Sequence, residues 1–220
     1  MTTMNRRNFL QGAAGIGLVS LLGGGYYVIR QPHLDFIKAQ YAGSVDGGRV
    51  LVAYTSQYGS TGGIADAIAK GIHAEDMAVD VIRIEEGTVI QNIGDYSAGI
   101  IGSPVISATW MPPAVSFVER YQAALERIPV AYFLASMELA LSTDPHAVEN
   151  IKPVFDKVLA QIPSVTPVAF GLFAGALDYS KMSPLNRALY QYFSPDDTDG
   201  DYRDWAAISK WATDLRPSLL

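Results

Sequence analysis

Residues 50–71, VLVAYTSQYGSTGGIADAIAKG, pass from strand-forming to helix-forming character within a single turn. Val50, Leu51, Val52, Ala53 and Tyr54 make a short apolar run rich in strand formers. Ile64, Ile68 and Ile72 are spaced by four and give one apolar stripe on a helix. Between them, Thr55, Ser56, Ser60 and Thr61 set four hydroxyls around Gly59. A strand, a hydroxyl-rich turn and a helix start together form an anion cradle. The first N–H groups of the helix have no intrahelical acceptor, the helix dipole favours negative charge, and the hydroxyls add donors. The turn carries no Lys or Arg, which suits a phosphate held by neutral donors. The same residues also make an ordinary Ser/Thr/Gly turn that caps a helix, so the turn alone does not decide.

Two other phosphate-binding patterns are excluded. A nucleotide-hydrolysing P-loop needs a Lys after its second Gly, and Gly59 is followed by Ser60 and Thr61. The dinucleotide fingerprint G-x-G-x-x-G is absent as well. The stretch resembles the flavodoxin signature, in which an apolar strand ending in an aromatic leads into a hydroxyl loop and a small-residue helix. That resemblance implies FMN as cofactor, with Ser56, Gln57, Tyr58, Gly59, Ser60 and Thr61 at its phosphate.

A chain of 220 residues with 49% hydrophobic and 17% charged content is able to bury a core. It has no cysteine, which excludes disulfides, thiolate catalysis and Cys-ligated metals. His33, His73 and His146 have no paired spacing, so no metal site is expected. The net charge is −6, and without Arg6, Arg7 and Arg30 the rest of the chain carries −9. Such a charge argues against nucleic acid and against an anionic membrane surface as main partners.

The first thirty residues read as a leader. Asn5-Arg6-Arg7-Asn8-Phe9-Leu10 resembles the twin-arginine export motif, and Gly12 to Ile29 follows as eighteen uncharged, Gly-rich residues. This implies the twin-arginine export machinery as a partner and an extracytoplasmic location. No A-x-A cleavage site follows, so both a removed signal and an uncleaved membrane anchor stay open. Residues 31–48 read as a linker, and 49–220 as the FMN-binding domain.

Beyond the cradle, apolar strands alternate with helical segments. Ala78–Ile84, Tyr96–Gly102, Pro129–Ala135 and Val168–Ala174 follow the first strand. Helices are expected from Pro112, from Asp144-Pro145, across Ser183–Phe193 and from Asp204. The fold class is therefore α/β, a flavodoxin-like doubly wound five-stranded parallel sheet with helices on both faces. Ligands bind such sheets at the carboxyl ends of strands where the order reverses. In the flavodoxin order that the resemblance implies, that point lies between the first and third strands, so the loop after the third strand should face the cradle, through Ser103, Pro104, Val105, Thr109 and Trp110. Trp110 is a flat side chain suited to stacking on an isoalloxazine ring, or else a buried aromatic under the next helix. Ser136, Met137 and Glu138, after the fourth strand, should meet the same ligand.

From Arg49 to Leu215 the chain resembles the subgroup of flavodoxin-like proteins that includes menaquinone-dependent protoporphyrinogen dehydrogenase. GSPVISATW, FAGALDYSKM and DDTDGDYRDW carry that resemblance. It implies FMN passing reducing equivalents between an organic substrate and a quinone. Near the insert after the fifth strand, Lys181, Arg187 and Arg203 stand beside six aspartates, a poor match for a dianionic porphyrinogen. The alternative is an exported electron carrier with a redox protein as partner. Tyr179, Tyr190, Tyr192 and Phe193 in the insert favour the enzyme, because a carrier needs only an exposed flavin edge.

Overall fold

The computed structural model describes residues 32–44, 48–73, 77–106, 108–141, 147–195 and 197–219. Its centre is strand β2 (Arg49–Tyr54), buried from Val50 onward as befits a parallel strand covered on both faces. Strands β1 (Ala39–Tyr41), β3 (Ala78–Arg83), β4 (Ala98–Ile106), β6 (Val130–Ser136) and β7 (Ala169–Ala174) complete the sheet in the order β1-β3-β2-β4-β6-β7. The five expected strands pair in parallel, as the doubly wound reading requires.

Two strands depart from the sequence reading. β1 lies in the segment read as a linker and pairs antiparallel with β3, closing an edge that would otherwise offer unpaired backbone groups. The third strand runs past Gly102 to Ile106 and turns back as β5 (Thr109–Trp110), with Val105 opposite Trp110. The loop expected after the third strand is thus mostly a β-hairpin. Val105 and Ile106 are good strand formers, and parallel pairing with β6 continues as far as Pro104 opposite Ala135.

Alternate residues of each strand feed two cores. Val50, Val52 and Tyr54 face helix α1 (Ser60–His73) and helix α6 (Trp205–Leu215). Leu51 and Ala53 face helix α2 (Pro112–Leu125) and helix α4 (Ala147–Gln161). Ile64, Ile68 and Ile72 are fully buried, and each stabilises the fold by about 1.5–3 kcal/mol relative to exposure. Asp144-Pro145 and the leader lie outside the described residues. Among the described residues no helix is long and apolar enough to cross a membrane.

One buried carboxylate interrupts the apolar pattern of β3. Asp80 accepts a hydrogen bond from the Tyr96 hydroxyl at 2.6 Å and pairs with the half-exposed Arg49 guanidinium at 2.7 Å. Burial, then the neighbouring carboxylate, pushes the Tyr96 phenol well above its ordinary range, so it stays a donor. Asp80→Ala strands both partners and is expected to lower stability by about 2 kcal/mol. Urea denaturation checks this: the midpoint should fall with an unchanged slope, and an unmoved midpoint would show the cluster to be idle.

Candidate functional site

The cradle is built by the way β2 hands over to α1. The Thr55 N–H donates to the Gly102 carbonyl at 2.9 Å, which holds the strand end against β4. The Ser56 hydroxyl then accepts the Gly59 N–H at 2.9 Å and closes the turn. Gly59 sits at φ +92°, a left-handed conformation that side chains with a Cβ rarely adopt. The Gly62 N–H reaches the Gly59 carbonyl at 3.0 Å, and α1 begins. Tyr54 lies directly beneath: a Cβ on Gly62 would stand 2.7 Å from its hydroxyl oxygen. Burial pushes the Tyr54 phenol up to about 12, and it donates to the Ile37 carbonyl at 2.8 Å.

Thr61 is fully buried, lines the cleft above the turn, and its Oγ1 has no partner among the described residues. The Thr55 Oγ1 is in the same condition. A buried hydroxyl left unpaired costs about 1–3 kcal/mol, so an oxyanion at the head of α1 would satisfy a demand the chain leaves open. The donor set (hydroxyls, helix N–H groups, a tight glycine turn) fits a phosphate.

Ser56, Gln57, Tyr58, Gly59, Ser60 and Thr61 all line one cleft at the carboxyl edge of the sheet. Pro104 and Val105 of β4, with Met137 at the start of helix α3 (Met137–Leu141), line it too, as the sequence reading expects. The other expected residues lie elsewhere. Ser103 is fully buried, donates to the Pro104 carbonyl and accepts the Met111 N–H, so it holds the hairpin together. Thr109 bonds Gln161 at 2.7 Å. Trp110 is only 1% exposed and sits edge-on to Tyr132 at 4.9 Å within the α2/α4 core. It offers no face to the cleft, because the hairpin turns it under α2. Ser136 accepts the Glu138 N–H, and Glu138 is exposed outside the lining.

The opposite wall comes from the segment after β7. Strand β8 (Ala176–Leu177) pairs antiparallel with β9 (Gly200–Asp201), and helix α5 (Pro184–Phe193) lies between them. Leu177, Tyr179 and Met182 cluster with Tyr58, Met137 and Tyr190, joining this insert to the cradle. The acidic run serves the insert itself. Asp199 accepts the Tyr179 N–H at 2.6 Å, Asp197 accepts the Tyr190 hydroxyl at 2.9 Å, and Asp204 caps α6 through the Ala207 N–H. Tyr192 is 79% exposed, so of the insert aromatics Tyr190 alone lines the cleft.

Two cations that the sequence reading did not assign to the cofactor also line the cleft, and each has a carboxylate. Lys181 stands 3.2 Å from Asp178, and Arg203 grips Asp201 through Nε and Nη2, both at 2.7 Å. The Ser180 hydroxyl holds the Asp178 carboxyl below its usual range, and the Arg203 hydrogen bonds do the same for Asp201. These contacts favour the ionised form of both carboxylates, which keeps both pairs matched.

Thr61→Val separates the cradle from the fold. The apoprotein should be as stable as before or slightly more so, because an unpaired buried hydroxyl disappears. FMN affinity should fall about ten- to a hundredfold, the worth of a hydrogen bond to a charged group. Flavin fluorescence on titration of the apoprotein checks this, and unchanged affinity would remove Thr61 from the site.

The chain is 26% identical over 175 residues to the protoporphyrinogen IX dehydrogenase [quinone] of Leishmania major, covering 76% of this chain and 74% of that protein. It is similar to a solved archaeal flavodoxin at 16% identity, with 78% of this chain and 98% of that one covered and a TM-score of 0.42. It is also similar to a Lactobacillus acidophilus flavoprotein solved in complex with FMN, at 17% identity, 57% and 93% coverage and a TM-score of 0.40. Residues 51–200, from the second residue of the apolar run in β2 to the start of β9, match the flavodoxin domain, and the chain belongs to that family.

Proposed function

We propose that this chain is an FMN-dependent oxidoreductase that passes reducing equivalents from a small organic donor to a quinone. The observation that carries the reading is the apolar wall of Leu177, Met182 and Tyr190, set with Met137 against the phosphate turn. An electron carrier gains nothing from such a cover, whereas a quinone needs an apolar slot. When bound, FMN supplies the one- and two-electron chemistry, and the protein binds and tunes it. Ser60, Thr61 and the head of α1 hold the phosphate. Leu177, Met182 and Tyr190 exclude water and offer the quinone its surface.

Charge speaks to the donor. The Leishmania relative is named for protoporphyrinogen IX and a quinone. A dianionic porphyrinogen would need cations free to meet it; Lys181 is matched by Asp178, and Arg203 is held by Asp201 and by the Ser60 carbonyl at the turn. The quinone is the better half of that likeness to carry over. The alternative, a carrier docking a basic protein, rests on the −9 charge of the chain beyond the leader and on the exposed Tyr192.

Stopped-flow reoxidation of the pre-reduced flavin by a soluble menaquinone analogue separates the two. Tyr190→Ala should slow it at least tenfold, about 1.4 kcal/mol, while FMN stays bound. Equal rates in the two proteins would favour the carrier.

The proposal includes export. Arg6-Arg7 and the uncharged run after them lie outside the described residues, and their pattern is the support. Changing both arginines to lysine keeps the charge and removes the recognition. The protein should then accumulate in the cytoplasm with its flavin, and an unchanged extracytoplasmic fraction on cell fractionation would reject export.

A further inference from the structure

We infer that Arg203, held by Asp201, is a fixed hydrogen-bond donor to the FMN phosphate, supplied to the neutral turn from the far end of the chain. The inference rests on FMN being the ligand of the cleft. Arg203 lines that cleft beside Ser60 and Thr61, and its Nη1 donates to the Ser60 carbonyl at 3.0 Å. Asp201 takes Nε and Nη2, and the guanidinium lies 4.3 Å over the ring of Trp205. A guanidinium has five N–H donors, so one N–H on each of Nη1 and Nη2 is left over. These donors are held in place before any ligand arrives, so little side-chain entropy is lost when one binds.

The helix itself is shaped for this arginine. A Cβ on Gly63 would stand 2.4 Å from Arg203 Nη1, well inside any real contact. Glycine is a poor helix residue, and in the first turn of α1 it leaves the room that the guanidinium fills. The unpartnered, fully buried Thr61 hydroxyl independently marks the same spot as a place for an anion. Helix head, orphan hydroxyl and clamped cation thus converge on one ligand group. Riboflavin has the same ring system and no phosphate, which makes it the discriminating probe.

The test titrates apoprotein with FMN and with riboflavin. In Arg203→Gln the FMN Kd should rise about tenfold or more, the worth of a charge-assisted hydrogen bond, with riboflavin affinity held within about twofold. Arg203→Lys should recover part of the loss, because it keeps the charge without the planar fork. Gly63→Ala should reproduce the FMN-selective loss by displacing Arg203; alanine is the better helix former, so this variant keeps the fold in reach. Added salt should weaken FMN binding less steeply in Arg203→Gln than in the wild type. Equal losses for FMN and riboflavin would reduce Arg203 to a packing residue, and an unchanged FMN Kd would overturn its role outright. If the wild type binds riboflavin as tightly as FMN, or binds neither, the phosphate site itself fails and Arg203 fails with it.

Discussion

The open hydrogen-bond demand at the head of α1 is what the rest of the site is built around. A helix start leaves donors without acceptors, and Thr61 adds a buried hydroxyl that none of the described residues satisfies. Such a demand is tolerable only where the surrounding backbone cannot relax to meet it. β2 supplies that rigidity: it is buried from Val50 onward, paired with β3 along its whole length and with β4 from Val50 to Tyr54. The Ser56–Gly59 bond then fixes the turn, and Tyr54 fills the space under Gly62. The stability of the sheet thereby holds a set of unsatisfied donors at one fixed place.

The insert after β7 turns that cradle into a cleft, and it does so with carboxylates that look like a solvated acidic run. Asp197 and Asp199 fasten Tyr190 and Tyr179, Asp201 positions Arg203, and Asp204 starts α6. The negative charge is largely spent on local partners. What the insert turns toward the cleft is apolar surface and matched ion pairs, the wall on which the proposed quinone slot rests.

Much of this was legible in the sequence, and the gaps have physical causes. The five parallel strands announce themselves as apolar runs because a doubly covered strand must be apolar on both sides. The six residues of the phosphate turn are contiguous, so their chemistry is visible in one dimension. β1 is not, because Ala39-Gln40-Tyr41 alternates over only three residues, too short a run to establish a period. The hairpin ending at Trp110 was hidden by Ser103-Pro104, which reads as punctuation, and a tryptophan fits either a stacking face or a core. Arg203 is 143 positions from the Ser60 carbonyl it bonds. The paired glycines Gly62-Gly63 were its one signal: they announce that something presses on the first turn of α1, but not what.

The segment between leader and domain ties the two proposals together. Phe36 lies under the Arg83 guanidinium at 3.2 Å, Arg83 reaches the Ser56 carbonyl, and the Ile37 carbonyl receives the Tyr54 hydroxyl. The chain is therefore fastened beside the turn from Phe36 onward. Seven Cα-to-Cα steps, across six intervening residues, lead from Ile29, the end of the uncharged run, to Phe36. Fully extended, they span at most about 25 Å. A leader kept as an anchor would hold the cradle within that reach of the bilayer surface, where a lipid-soluble quinone is found. A cleaved leader would release the same cleft into the aqueous phase, where a protein partner is the more accessible acceptor. If both proposals hold, the fate of the proposed leader selects the acceptor.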